Sequence, residues 1–129
     1  RIKYSKTELV NHVEQIKHPI AREVLKRFNL NGLDINSIAD IPSGTGLGSS
    51  SAFTVALLHA LHLVKGERPG PEQLASESAH LEIDILGRPV GKQDHYASSV
   101  GGLNIINFNK DDTVKIKKLR DIVVKRNRN

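Results

Sequence analysis

Leu9, Val13 and Ile16 recur at helical intervals behind Ser5-Lys6-Thr7-Glu8, which has the spacing of a capping box. That pattern predicts a first helix, interrupted by Lys17-His18-Pro19. Ile20, Val24, Leu25 and Phe28 predict a second amphipathic helix, which Asn29 to Gly32 should end. Leu33 to Ile41 partly alternates and reads as a strand. From about Ser49 to Lys65 the chain is apolar on nearly every helical face, so a central, buried helix stopping at Gly66 is expected. Pro71 suits the first position of the next helix, with Leu74, Ala75, Ala79, Leu81 and Ile85 as its inner stripe. Gly87-Arg88-Pro89-Val90-Gly91 reads as a rigid loop, followed by a short helix from Gln93 to Ser99. A strand from Leu103 to Phe108, a turn over Asn109 to Asp112 and a return strand from Thr113 to Leu119 complete the pattern. Helices and strands mix without regular βαβ alternation, which predicts an α+β layered domain.

Composition changes this picture little. The 129 residues suffice for one domain with a real core, and 38% apolar against 26% charged residues reads as globular. No apolar run reaches the length of a membrane span. Cysteine is absent, so there is no disulfide framework or thiolate metal site, which suits a reducing cytoplasm. The chain opens Arg1-Ile2-Lys3-Tyr4 without an initiator methionine, and a fragment is expected. Much of the formal charge of +5 comes from Lys115, Lys117, Lys118, Arg120, Lys125, Arg126 and Arg128. No aromatic residues are interleaved there for base stacking, so a solvated end is expected rather than a nucleic-acid surface.

The stretch that carries chemistry is Ile41-Pro42-Ser43-Gly44-Thr45-Gly46-Leu47-Gly48-Ser49-Ser50-Ser51. Glycines at alternate positions let backbone approach a ligand closely, and the helix that follows offers free N–H donors at the positive end of its dipole. Phosphate is the anion this arrangement suits. A Walker A loop would need Gly-Lys before Ser or Thr, and no lysine lies between Ile41 and Val64. The dinucleotide fingerprint needs G-x-G-x-x-G, whereas Gly44, Gly46 and Gly48 are spaced G-x-G-x-G. A protein-kinase glycine loop leads into a strand, and this one leads into an apolar helix.

What remains, P-x-G-x-G-L-G-S-S-S, resembles the second motif of the GHMP small-molecule kinases, the family of galactokinase, homoserine kinase, mevalonate kinase and phosphomevalonate kinase. The sugar-kinase branch also carries a glutamate, then G-x-P-x-G, then an aspartate. Here Glu82, Gly87, Pro89, Gly91 and Asp94 match without a gap, in the right order along the chain. The resemblance implies an α+β two-layer sandwich, related to a ribosomal small-subunit protein, over residues 1–119, lacking the family's first motif. Residues 120–129 would be a basic tail that begins a missing C-terminal part. It implies ATP and Mg²⁺ as cofactors, with Pro42, Gly44, Thr45, Gly46, Leu47, Gly48, Ser49, Ser50 and Ser51 around the phosphates. Ser50 and Glu82 would hold Mg²⁺, and Asp94 would face the acceptor hydroxyl as the catalytic residue. The implied reaction is phosphorylation of the anomeric hydroxyl of a sugar or sugar phosphate, a heptose 7-phosphate foremost. The chain alone is expected to turn over little or nothing.

Two other readings stay open at this level. One is a different reaction of the same family, fucokinase-like or on mevalonate or homoserine. The other is a basic RNA-binding or assembly module of the same fold, which would explain the charge but not the spacing of Glu82 and Asp94. No membrane partner is expected, and a homo-oligomer is left open. Taken singly, Glu82 is an ordinary solvated helix carboxylate, Asp94 an N-cap and Asp84 a surface residue. His59 and His62 share a predicted helix face but lack a third ligand for a metal. Lys92 and His95 flank Asp94 and read equally as contacts to a substrate phosphate or hydroxyl and as surface residues, so neither is placed in the site.

Overall fold

The computed structural model describes residues 1–4, 6–30, 32–38 and 48–118. The predicted strand from Leu33 to Ile41 therefore falls partly outside the described residues, as does Leu119. In chain order the elements are β1 (Ile2–Lys3), β2 (Thr7–Glu8), α1 (Pro19–Phe28), β3 (Ile35–Asn36), α2 (Ser49–Val64), α3 (Pro71–Ala79), α4 (Gln93–Val100), β4 (Asn104–Phe108) and β5 (Val114–Lys118). A single 3₁₀ turn spans Val13–Gln15, and the wide helical segment His80–Ile85 continues α3. The small first sheet has the order β2-β1-β3, with β1 antiparallel to β2 and parallel to β3. β4 and β5 form an antiparallel hairpin, with Ile106 opposite Ile116.

The fold is α+β, a helical layer against strands. Helix α2 lies at its centre and touches α1, α3 and α4. Ile20, Val24, Leu25 and Phe28 from α1 meet Leu57, Leu58 and Leu61 from α2, with Leu74 and Leu81 beyond. From the sheet side, Ile2 enters the same core, and Tyr4 and Ile35 pack against it.

Helix α1 forms as its sequence suggests. Pro19 fills the first turn, the His18 ring accepts a hydrogen bond from Ala21 N–H at 3.3 Å, and Asn29 closes the helix in the left-handed region at φ 50°. The preceding segment differs from expectation. Thr7 and Glu8 are in a strand, and Leu9 is 79% exposed. The Glu8 carboxylate accepts instead from Lys17 N–H at 2.8 Å and His18 N–H at 3.2 Å. The acidic residue of the supposed capping box thus serves the entry to α1, ten residues on, and no helix is nucleated behind Ser5.

Two further expectations are corrected. Helix α2 is not buried all round: Ala52, Ala56, His59, Ala60 and Leu63 lie on an exposed stripe, because its three neighbouring helices cover the other sides. His59 lies on that stripe while His62 is buried against Glu77, with Nε2 2.8 Å from its carboxylate. Ile85 is not in the inner stripe of its helix but half exposed, at 50%. The reason is the i→i+5 bonding after Ala79, in which Leu86 N–H reaches Leu81 C=O. The extra residue in that turn rotates Ile85 outward.

Leu58 is wholly buried between the helices, whereas Leu63 on the same helix is half exposed. Leu58→Ala is expected to cost about 3 kcal/mol of unfolding free energy, and Leu63→Ala less than about 0.5 kcal/mol. Urea denaturation of the two variants would measure the difference.

Candidate functional site

Glu82 is the centre of the site. Expected as a solvated carboxylate when read in isolation, it is fully buried, with 0% of its surface exposed. The wide turn His80–Ile85 directs it inward towards the start of α2. Burying a carboxylate is tolerable only where donors replace water. Here Oε1 accepts from Thr54 Oγ1 at 2.9 Å and from His95 Nε2 at 3.1 Å. Oε2 accepts from Ser50 Oγ at 3.2 Å. An Arg88 guanidinium nitrogen stands 3.9 Å from Oε2, and Arg88 N–H closes the following loop onto the Glu82 carbonyl.

These contacts decide the charge on Glu82. Burial pushes its carboxyl up, but the hydrogen bonds from His95, Thr54 and Ser50 outweigh burial and hold it below the ordinary value of 4.5. Glu82 is therefore an anion at neutral pH.

Of the residues expected to cradle phosphate, Pro42, Gly44, Thr45, Gly46 and Leu47 lie outside the described residues. Gly48 is the N-cap of α2, and Ser49, Ser50 and Ser51 form its first turn. Ser49 and Ser50 are half-buried, and Ser51 is turned inward and buried. Gly48 has φ 73°, in the left-handed region. A Cβ added there would lie 3.3 Å from Asp94 Cγ. The absent side chain of Gly48 is thus what lets the Asp94 carboxylate stand against the head of α2.

Asp94 is exposed and occupies the second position of α4. Lys92 holds the N-cap position, so Asp94 is not the cap. Its carboxylate faces the first turn of α2 while its own backbone begins α4. The structure brings Gly48, Ser50, Glu82 and Asp94 together at the head of α2, although they are spread over 47 positions of sequence. Lys92 is held elsewhere, 3.1 Å from Asp112 of the hairpin. Both line a cavity of about 310 Å³ with Gly91, Gln93 and Phe108. Asp84 is exposed and pairs with His80 at 2.8 Å.

Three contributors were left out of the site read from sequence, and His95, read there as a substrate contact or a surface residue, is instead buried. Thr54 is four residues after Ser50, one helical turn along the same face, and is a hydroxyl in an otherwise apolar run. His95 adjoins Asp94 but faces a different way, into the core. Arg88 sits inside the Gly-x-Pro-x-Gly loop. A polar side chain inside an apolar helix was the available signal for Thr54; nothing local distinguishes His95 from a surface residue.

The donor set fits a small divalent cation. Mg²⁺ takes oxygen ligands at about 2.0–2.1 Å, so neighbouring ligands in its octahedron stand about 3 Å apart. Ser50 Oγ and Glu82 Oε2, at 3.2 Å, have nearly that separation. The Ser50 hydroxyl can turn its hydrogen away and offer a lone pair, while Oε1 stays occupied by Thr54 and His95.

Two predictions follow from this geometry. Gly48→Ala combines left-handed strain of about 1–2 kcal/mol with a contact on the Asp94 carboxylate. It is expected to lower stability by that amount in urea titrations and to shift Asp94 by a few tenths of an ångström in a crystal structure. Because the folded protein holds Glu82 below 4.5, Glu82 contributes stability that is complete above that value and is lost as pH falls through its folded value. Thermal unfolding from about pH 6 to about pH 3 should show wild type losing more stability on acidification than Glu82→Gln.

Comparison with known proteins identifies the relatives of this site. The family model for the GHMP kinases N terminal domain matches residues 11–102. A mevalonate kinase of Methanothermobacter thermautotrophicus is 42% identical over 71 residues, which are 55% of this chain and 23% of that protein. A D-glycero-alpha-D-manno-heptose 7-phosphate kinase of Campylobacter jejuni is 31% identical over 103 residues, 78% of this chain and 30% of that protein. Among solved structures, a D-glycero-D-manno-heptose 1-phosphate kinase from Bacteroides thetaiotaomicron superposes with a TM-score of 0.67 at 28% identity, over 89% of this chain and 38% of that one. This chain thus spans less than a third of the two kinases matched by sequence and 38% of the solved one. With the match covering most of its length, the chain belongs to the GHMP kinase family and carries the N-terminal domain of that family.

Proposed function

We propose that this chain supplies the nucleotide- and metal-binding part, and the catalytic carboxylate, of an ATP-dependent sugar kinase that phosphorylates the anomeric hydroxyl of a heptose 7-phosphate. The observation that carries the reading is the meeting of the Ser50–Glu82 pair with Asp94 at the N-terminus of α2. A phosphate site, a cation site and an acceptor-facing carboxylate are the three things phosphoryl transfer asks of a protein. The heptose 7-phosphate kinase that matches 78% of this chain, and the heptose 1-phosphate kinase whose structure resembles it, support the sugar branch.

Each residue then has a defined task. The free N–H groups of the first turn of α2, with the Ser49 and Ser50 side chains, bind phosphate oxygens of ATP. Ser50 Oγ and Glu82 Oε2 hold Mg²⁺, which when bound neutralises charge on the transferred phosphoryl group. Asp94 accepts a hydrogen bond from the acceptor hydroxyl and aligns it, taking its proton as the new oxygen–phosphorus bond forms and the bond from the γ-phosphorus to the bridging oxygen breaks, with ADP leaving. Transfer passes through a loose transition state, so alignment counts for more than early proton removal. Ser51, buried in the first turn, serves the helix rather than the ligand.

The 42% identity with a mevalonate kinase over 71 residues favours a second reading, in which the acceptor is the primary alcohol of mevalonate. The two differ in acceptor, not in the roles of Ser50, Glu82 and Asp94.

In the full-length protein, Asp94→Asn is expected to lower kcat about a hundredfold or more and to leave ATP affinity unchanged. Initial rates with heptose 7-phosphate and with mevalonate, measured side by side, decide between the acceptors. Turnover of mevalonate alone would overturn the sugar reading. Equal rates for wild type and Asp94→Asn on either acceptor would overturn the role of Asp94.

A further inference from the structure

His95 has no task in the scheme above, yet it is the most completely enclosed imidazole among the described residues, with 0% exposure. Its Nε2 meets Glu82 Oε1 at 3.1 Å, and its Nδ1 is buried without a hydrogen-bond partner among them. Packing alone would favour an apolar side chain here, since the unpartnered Nδ1 costs the fold something for every buried polar atom left dry. Among the described residues, the single polar contact the ring makes is with the carboxylate at the centre of the site.

The other donor to the same oxygen is shared. Thr54 Oγ1 lies 2.9 Å from Glu82 Oε1 and 2.8 Å from the Ser50 carbonyl, and a hydroxyl has one hydrogen for two acceptors. Whenever Thr54 bonds the helix carbonyl, His95 is the donor left to fix Oε1. Pinning Oε1 from the inner side turns Oε2 outward to Ser50, the geometry in which both oxygens can take a cation.

We infer that His95 is a positioning residue for the cation site: through Nε2–H it fixes the Glu82 carboxylate so that Oε2 faces Ser50, and thereby sets the affinity for a divalent cation it does not touch. The inference rests on the proposed reading of Ser50 and Glu82 as cation ligands. Outer partners of metal-binding carboxylates act in this way, typically changing metal affinity about 10–100-fold when removed. His95 also follows Asp94 directly in α4, so the same hydrogen bond fixes the distance between the cation-binding carboxylate and the acceptor-facing one.

The test uses the full-length protein with a non-hydrolysable ATP analogue and Mn²⁺ as the cation, with bound Mn²⁺ counted by electron paramagnetic resonance. Three variants are compared. His95→Phe keeps most of the volume without a donor, His95→Ala removes both, and His95→Gln restores an N–H donor of similar reach. The expected result is Mn²⁺ affinity about tenfold lower for His95→Phe and His95→Ala, and within about threefold of wild type for His95→Gln. Affinity for the analogue without metal should be the same in all four proteins, which a merely unfolded or loosened variant would not show. Wild-type Mn²⁺ affinity in folded His95→Phe, or equal losses in His95→Phe and His95→Gln, would overturn the inference. A wild-type protein that binds the analogue but never Mn²⁺ would overturn instead the reading of Ser50 and Glu82 on which it rests.

Discussion

The structure at the head of α2 depends on keeping one carboxylate out of water. An ionised Glu82 with no surface exposure is stable only while His95, Thr54 and Ser50 supply the hydrogen bonds that solvent would. Those donors come from three places: two turns of α2 and the start of α4. The carboxylate comes from a fourth, the wide turn after α3. Four segments are thus tied at a point, and the packing of α2 against α3 and α4 is shaped to let them meet. The wide turn itself is part of the same arrangement. A regular helix through His80–Ile85 would have carried Ile85 inward on the stripe of Leu74 and Leu81; the i→i+5 turn exposes Ile85 and leaves Glu82 inside.

Much of the fold was legible in the sequence for reasons that are local. Pro19 and Asn29 bracket α1, Pro71 opens α3, and Gly66 follows the end of α2, each through a backbone preference that needs no tertiary partner. Where sequence reasoning failed, a distant partner had taken over. Glu8 has capping-box spacing from Ser5, yet its carboxylate is claimed by the amides of Lys17 and His18. Periodicity in α2 reports how apolar a face is, not whether a neighbour covers it. Ala52, Ala56 and Leu63 therefore read as core and stand exposed among the described residues.

The site was legible to a different degree. Motif spacing picked out Gly48, Ser50, Glu82 and Asp94, and these do converge. It could not find His95 or Thr54, because their importance lies in a direction rather than a spacing. His95 and Asp94 are consecutive, and consecutive helical residues point about 100° apart. One faces the head of α2 at the surface and the other the buried side of Glu82, a distinction that exists only once α4 is docked.

The choice of donors also explains how a buried carboxylate can remain useful. A bidentate arginine would have satisfied Glu82 and cancelled its charge. Arg88 is instead 3.9 Å away, an ion pair outside hydrogen-bond range rather than a bidentate one, and the two hydroxyls and the His95 imidazole orient the carboxylate. The carboxylate lies beside the positive end of α2, where on the proposed reading a cation and a polyphosphate would each find one attractive partner and one repulsive one. Only the two together satisfy both poles. On the proposed function, that mutual dependence gives a physical reason for the site to favour a metal–nucleotide complex over either component alone.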